Sequence, residues 1–539
     1  MTSKWWQQSV FYQIYPRSFQ DSNHDGIGDL NGITARLPYL KELGIDAIWL
    51  SPVFASPNVD NGYDVSDYCA IMPEFGTMED MEELITAANN MGIKIIMDLV
   101  VNHTSSEHPW FKKALAGDPH YKDYYIFRSD KKGLPNDLNS FFGGSAWEYV
   151  PERKEYYFHL FAKEQPDLNW ENPAVRKEVW QIMNFWLQKG VGGFRLDVIE
   201  LIGKIPDQKI IGDSPLLHPY LQEMYREVLA EKDVVTIGET GSVTPLTAPL
   251  YTDPNRKELS MVFQFQHMAL DEVPQTSKWN LKKLDVSELK TVLSRWQTQL
   301  PATAWNSLFW SNHDQPRILS RWGNPDCYPV ESSKMLAILL HMMKGTPFIY
   351  QGEELGMTNQ EVSDIKQLDD IESINYYTKE RANNTKTAKI WQAINTKGRD
   401  NARTPMQWSA AQHAGFTTAN VTPWYPINPN YTTINAAACL QDKNSIFYTY
   451  QKLIRLRKEQ PLIVWGDYHL LNTAETIFAY TRSYQGETWL ICANFSASEQ
   501  TLSLPYTAKQ TIITNYPSTY CKLEQLTLRP YETFVVKLH

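Results

Sequence analysis

Four segments of the sequence end in side chains able to carry protons or charge: Asp98-Leu-Val-Val-Asn102-His103, Arg195-Leu-Asp197, Gly238-Glu239 and Asn312-His313-Asp314. Each follows a run of β-branched or aromatic residues that reads as a strand, so each polar group falls at a strand's C-terminal end. Singly these are weak signals, because an aspartate there is often structural and a lone histidine is commonly a satisfied hydrogen-bonder. Together they set three carboxylates, two histidines and an arginine on one face, and burying that much charge to no purpose is costly. Arg195 and Asp197 are two apart on a strand and point to the same side, so the arginine is expected to keep Asp197 ionised. Glu239 is expected to hold a proton, its pKa raised by burial and by nearby carboxylates. One ionised and one protonated carboxyl, about 5–5.5 Å apart, are the tools of a retaining glycosidase: the first attacks the anomeric carbon and the second protonates the leaving oxygen.

Such groups need elements that bring them together. Strands are expected at Val10–Tyr15, Ala47–Ser51, Ile93–Val100, Gly193–Val198, Val234–Glu239, Met261–Gln266, Ser307–Ser311 and Pro347–Gln351. Helical patterns lie between them, at Met78–Met91, Pro173–Lys189, Leu216–Glu231, Ser287–Leu300 and Ser332–Met343. The second of these opens Glu171-Asn172-Pro173, a cap before a first-turn proline. Eight strands alternating with helices predict an α/β fold, a (β/α)8 TIM barrel, with an open doubly wound sheet as the weaker choice. The stretch between strands three and four is far too long for a plain connection and is expected to form a small inserted domain. After a helix at Gln451–Lys458 the pattern changes to alternating strands at Thr476–Tyr480, Thr488–Ala493 and Thr533–Leu538, which predict a C-terminal antiparallel β-sandwich. The expected division is a barrel over residues 1–103 and 172–465 (with a polar insertion at 364–399), an inserted domain over 104–171, and a C-terminal domain over 466–539.

Of the 539 residues 42% are hydrophobic and 21% charged, which suits a large core and excludes general disorder. The net charge of −10 argues against nucleic acid or an anionic membrane as partner. Aromatic residues reach 13%, with 18 Trp and 29 Tyr; their flat faces suit sugar rings, although large barrels also bury many. The five cysteines, Cys69, Cys327, Cys439, Cys492 and Cys521, are scattered, odd in number and without a CxxC pair, which predicts free thiols, a cytoplasmic location and no zinc site. The N-terminal MTSKWWQQSVFYQ has no signal-peptide run, and no stretch reaches the ~18 apolar residues of a spanning helix. A monomer acting on small oligosaccharides is expected.

The segments DLVVNH, GFRLDV, GE and NHD, in this order and spacing, resemble the α-amylase superfamily, glycoside hydrolase family thirteen, over essentially the whole chain. The resemblance implies Asp197 as nucleophile, Glu239 as acid/base and Asp314 as transition-state stabiliser, with His103, His313 and Arg195 binding the same sugar. It also implies that Asp60 (in DNGYD) and Arg403 (in NARTPMQW) hold the 4-hydroxyl of a terminal glucose, closing the pocket against longer chains. Tyr63 would stack on the ring, and Phe161 and Gln165, in FAKEQPDLNW, would line the pocket. DVIELIGKIP, LSMVFQF, LDDIESINY and GRDNARTPMQW look like the glucan 1,6-α-glucosidases (dextran glucosidases) and oligo-1,6-glucosidases. Val198 after the nucleophile goes with α-1,6 cleavage in such enzymes, although one apolar contact is worth only ~1–3 kcal/mol of discrimination. Lys278 matches a lysine contacting the next sugar. One departure is Gly241, where those enzymes often carry Trp.

The implied function is a retaining exo-acting α-glucosidase hydrolysing α-1,6 bonds from non-reducing ends of isomalto-oligosaccharides, panose or dextran. The alternative is a trehalose-6-phosphate hydrolase, which SNHDQPRILSRWGN and SIFYTYQKLIRLRKE resemble. That group usually has a longer stretch after strand four, with DGR and FYTDGP. Here Glu200–Pro215 is shorter, lacks both, and offers only Lys204 and Lys209, which read as solvating surface lysines rather than a phosphate-binding cluster. A non-catalytic relative is disfavoured by the three carboxylates, and a sucrose isomerase by RILSRWGNP, which lacks the RxDRx pattern. Asp21-Ser-Asn-His-Asp25-Gly26-Ile27-Gly-Asp29 reads as a calcium loop, since hard oxygen donors alternate and Gly26 allows a sharp turn, although position twelve is Gly32 rather than the Glu of an EF-hand. Similar glucosidases imply a structural Ca2+ on Asp21, Asn23, Asp25, the Ile27 carbonyl and Asp29, and no organic cofactor. A hydrogen-bonded turn without metal is the plain alternative.

Overall fold

In the computed structural model, which describes residues 4–539, eight short runs form one parallel sheet. They are Phe11–Ile14 (β1), Ala47–Leu50 (β2), Lys94–Leu99 (β3), Gly193–Leu196 (β4), Val235–Glu239 (β5), Met261–Phe263 (β6), Ser307–Leu308 (β7) and Thr346–Tyr350 (β8). Their order is β6-β5-β4-β3-β2-β1-β8-β7, and a parallel bridge between Val262 and Asn306 joins the two edges into a ring. Each strand falls within or within one residue of its expected position. Every residue of β1, β2, β4 and β8 is buried, because helices cover the outside while side chains fill the inside. The fold is the expected TIM barrel. Residues 1–3, assigned by sequence to the barrel segment, lie outside the described residues.

The helix Pro173–Gln188 starts as its sequence predicts: the Asn172 side chain accepts from Ala174 N at 2.9 Å and Pro173 opens the first turn. The patterned stretch Leu216–Glu231 is one α-helix, Leu217–Met224, running into a wider π-type turn over Tyr225–Leu229. Between β3 and β4 a helix, Pro109–Leu115, precedes a three-stranded antiparallel sheet of Phe127–Ser129, Glu155–Phe158 and Trp147–Val150. The stretch after β8, read as polar, is two helices, Ile371–Ala382 and Thr387–Lys397. Its polarity is one-sided: Val362, Leu368, Ile390, Ala393 and Ile394 pack on Trp279 in a small core of their own. Toward the C-terminus a five-stranded antiparallel sheet and a two-stranded ladder, Gln500–Leu502 with Leu526–Leu528, enclose an apolar cluster. Tyr480 and Arg482 of that sheet donate to the Leu339 and Met342 carbonyls at 2.6 and 2.5 Å, docking it on the barrel. All five cysteines are free thiols, and among the described residues no helix is long and apolar enough to cross a membrane.

Candidate active site

Strand register sets the first contacts. Asp98 on β3 lies directly beside Arg195 on β4, which in turn neighbours β5. The Arg195 guanidinium is buried and carries three carboxylates: Nη1 donates to Asp98 Oδ1 at 2.8 Å and to Asp197 Oδ1 at 2.7 Å, and Nη2 to Glu239 Oε2 at 2.6 Å. Asp197 and Glu239 therefore stand side by side on one cation. The far oxygen of Asp98 accepts from Trp49 Nε1 at 3.0 Å and from the Tyr63 hydroxyl at 2.9 Å.

Three carboxylates around one guanidinium cannot all ionise cheaply in a buried site. Burial pushes the Asp197 carboxyl well above the usual carboxylate range, Glu239 and Asp98 add to the push, and Arg195 opposes it. Burial likewise lifts Asp98 to about 6 against the pull of Arg195. Arg195 does lie against Asp197 as expected, but burial and two like charges work against the ionisation it favours. Sharing one cation at these distances, the three carboxyls titrate as a coupled unit.

Burial acts against ionisation of Asp314, but Arg399 and Arg403, with His313 in contact, hold its carboxyl far below the usual range. Burial lowers the His313 imidazole to about 3 and that of His103 to about 4, so near neutral pH both are uncharged and the arginines supply the pull. His313 is fixed on both nitrogens, Nδ1 lying 2.8 Å from Gln13 Nε2 and Nε2 3.1 Å from Asp314 Oδ2, and its ring stacks on Tyr63 at 5.2 Å. Gln165 Nε2 reaches Asp60 Oδ2 and His103 Nε2, both at 3.2 Å. Phe161 packs on His103 with ring centres 5.0 Å apart.

Val198 follows Asp197 with φ of +36°, a left-handed backbone that a β-branched residue rarely adopts. Its N–H donates to Glu239 Oε2 at 3.0 Å, so this strained turn helps to aim the glutamate. Its side chain lies with Phe161 against the apolar cluster around Trp147 and Phe158.

The ion pairing at the far end departs from expectation. Asp60 and Arg403 were expected to act as a pair, but Asp60 Oδ1 meets Arg399 Nη2 at 3.2 Å, whereas Arg403 Nη2 donates to Asp314 Oδ1 at 2.9 Å. Arg399 also holds Asp370 at 2.8 Å and Asp314 at 3.4 Å, and its guanidinium lies 5.1 Å from the centre of the Phe142 ring. Burial raises Asp60 to about 6 in spite of Arg399 and Arg403. Lys278 is ion-paired with Glu372, which sits 3.7 Å from Arg399 Nε. Arg399, Asp370, Glu372 and Gln13 escaped the sequence reading. Arg399 had a signal, since it stands four residues before Arg403 in GRDNARTPMQW. Lys204, read as a surface lysine, is buried and paired with Asp167 at 3.2 Å. Lys209 is exposed and paired with Asp137 at 2.5 Å.

The Asp21–Asp29 loop is held by its own hydrogen bonds. Asp21 accepts from the His24 and Gly26 amides at 2.7 and 2.9 Å and from Thr417, while Asp29 accepts from Ser22 N and caps the next helix through Gly32 N, both at 2.7 Å. Asn23 Oδ1 accepts from Asp25 N at 3.0 Å, and Asp25 Oδ1 from Ile27 N at 2.8 Å. The loop is tied to the site: Gly26 O accepts from Trp424 N, Trp424 Nε1 donates to Ser18 Oγ at 3.1 Å, and Ser18 donates to the Arg403 carbonyl at 2.5 Å.

Known proteins place this arrangement. The family described as alpha amylase, catalytic domain, matches residues 13–466, and the alpha-amylase SusG C-terminal domain matches residues 477–535. The chain is 54% identical to a glucan 1,6-alpha-glucosidase of Streptococcus dysgalactiae subsp. equisimilis and 52% identical to an oligo-1,6-glucosidase of Bacillus cereus, each over 100% of both chains. It superimposes on the crystal structure of a trehalose-6-phosphate hydrolase of Bacillus licheniformis with a TM-score of 0.94 at 46% identity, covering 99% of this chain and 100% of the other.

Proposed function

This chain belongs to the alpha-amylase family of glycoside hydrolases, and on that premise we propose that it is a retaining, exo-acting α-glucosidase cleaving α-1,6 bonds at the non-reducing ends of isomalto-oligosaccharides, panose or dextran. The observation that carries the reading is the pair Asp197 and Glu239 on one guanidinium, together with a buried lattice of Asp60, Arg399, Asp314 and Arg403 that would close the pocket behind a terminal glucose. In the first step a carboxylate oxygen of Asp197 bonds to the anomeric carbon while the glycosidic bond breaks and the Glu239 proton passes to the leaving oxygen. In the second, Glu239 takes a proton from water, whose oxygen displaces Asp197 and restores the starting configuration. The first step needs the proton on Glu239 and the charge on Asp197, and Arg195, which touches both, stands where it can stabilise that charge. Asp314, held ionised by the arginines, faces the positive charge that develops on the sugar. Tyr63 and Phe161 cover the ring, and His103, His313 and Gln165 meet its hydroxyls as neutral partners. Arg403 Nη1 is buried without a partner, a donor left over for a terminal hydroxyl.

The α-1,6 preference draws support from the two 1,6-glucosidase relatives, from Val198 beside the nucleophile, and from Lys278 and Glu372 at the mouth. A phosphorylated disaccharide would need unpaired cations, yet Lys204, Lys209 and Lys278 are each neutralised by a carboxylate. Initial rates on isomaltose, panose, maltose and trehalose 6-phosphate decide the matter. The first two are expected to be cleaved fastest; dominant activity on the phosphorylated sugar would replace this reading with a trehalose-6-phosphate hydrolase. The free thiols support a cytoplasmic location.

For the Asp21–Asp29 loop we propose a structural Ca2+ on Asp21, Asn23, Asp25, the Ile27 carbonyl and Asp29. The donors are all hard oxygen, the kind Ca2+ takes, but among the described residues no three carboxylates converge on one point, and those of the loop accept its own amides, so binding would have to draw them inward. The ion would stiffen a loop that reaches Arg403 through Trp424 and Ser18, and it takes no part in bond cleavage. Chelation is expected to lower the melting temperature, with recovery on added Ca2+ but not Mg2+. An unchanged melting temperature would identify the loop as a turn held by hydrogen bonds alone.

A further inference from the structure

We propose that Glu200 is a specificity residue: an anion fixed on the leaving-group side that rejects leaving sugars bearing negative charge, phosphorylated ones above all. The proposal rests on the reading of Glu239 as acid/base, because a proton donor must touch the glycosidic oxygen and the segment just beyond it must face the departing sugar. Glu200 lies three residues after Asp197, and its carboxylate crosses to that segment. Oε1 accepts from Gly241 N at 2.9 Å, and Oε2 accepts from Ser242 Oγ at 2.6 Å and from Ser242 N at 3.3 Å. Two backbone amides and a hydroxyl thus pin a half-buried negative charge on the exit of β5. Position 241 accommodates it: a Cβ there would stand 3.2 Å from Glu200 Oε1, so any side chain would press on the carboxylate.

Among the described residues Glu200 makes no ion pair, and the one charged group among the main influences on it is another carboxylate, Glu239. Lys204 is neutralised by buried Asp167, Lys209 by Asp137, Lys278 by Glu372 and Arg128 by Asp207. A phosphate brought to this side would meet Glu200 with no counter-charge, and like charges brought together at a binding surface suppress the wrong partner strongly. A neutral glucosyl unit would meet only a hydrogen-bond acceptor.

Trehalose and trehalose 6-phosphate share one linkage and differ by the phosphate. Each is measured as a competitor of isomaltose hydrolysis, at low and at high salt, for the unmodified protein, Glu200→Gln and Glu200→Asp. The unmodified protein is expected to bind the phosphorylated sugar at least about tenfold more weakly than trehalose at low salt. That gap should shrink as salt screens the carboxylate, nearly vanish in Glu200→Gln and persist in Glu200→Asp. If Glu200→Gln fails to fold, the salt series on the unmodified protein decides alone. A gap that neither salt nor Glu200→Gln moves overturns the proposal while leaving the α-1,6 reading intact, provided isomaltose remains the better substrate. Preferential hydrolysis of trehalose 6-phosphate by the unmodified protein would overturn both.

Discussion

Asp197→Ala and Glu239→Gln will each lower kcat by about 10⁴-fold or more while leaving the protein folded. The two losses differ in kind. Without Asp197 no covalent intermediate forms, so every substrate suffers. Without the Glu239 proton, substrates whose leaving group departs unaided, such as dinitrophenyl glucosides, should still pass the first step and stall at the second, giving a burst of released phenol. Stability separates them from ordinary lesions. Asp197 is a buried carboxyl whose ionisation is opposed by burial, Glu239 and Asp98, so its removal should leave the melting temperature at or above that of the unmodified protein, the usual trade between activity and stability. Turnover within tenfold of normal by either variant would reject the assigned roles.

Arg195→Met will be nearly as damaging for another reason. Asp98, Asp197 and Glu239 would lose their common cation, and breaking a buried ion pair from one side costs about 3–5 kcal/mol. Arg195→Lys should rescue little, since an ammonium cannot serve three carboxylates with a planar fork. The loss must depend on pH in a set direction. Asp98 titrates near 6 in the folded protein, above its value in the unfolded chain. Its contribution is therefore fully present below about pH 4 and is lost as pH rises through 6. Removing Arg195 raises the cluster's carboxyls further, so the melting-temperature gap between variant and parent should be small near pH 4–5 and widen toward pH 8. A gap constant with pH would mean that Arg195 acts by packing rather than by charge.

Much of this was legible in the sequence, for reasons that individual residues make plain. Strands buried on both faces must be apolar throughout, so runs such as Ala47–Leu50 announced themselves, and a carboxylate closing such a run, as at Glu239, stood out. The helix cap at Asn172 followed from local chemistry. Partner choice did not. The resemblance put Asp60 and Arg403 together on one sugar hydroxyl, yet the chain brings Arg399 to Asp60 and turns Arg403 to Asp314. The helices after β8 looked polar because charged residues separate the apolar ones, such as Ile374, Ile390 and Ile394, that gather on the cluster around Trp279. The helix Leu30–Leu43 went unnoticed behind its internal Pro38 and the polar loop before it. Lys204 looked solvated because its partner, Asp167, sits on the returning end of the inserted segment, remote from it in sequence. Arg195 was seen beside Asp197 because both lie on one strand, whereas Asp98 and Glu239, which share the same guanidinium, come from the adjoining ones.

On the exo-acting reading, the lattice in which Arg399 is clamped among Asp60, Asp314 and Asp370 would close one end of the pocket and leave it a single doorway. On the proposed reading, glucose freed at the blind end can depart only after the remainder of the chain has backed out. The polymer cannot be threaded forward one unit at a time; it must be dropped and caught again for every cut. Digestion is then distributive, all chains shortening together, and liberated glucose obstructs the same threshold that each new chain end must cross.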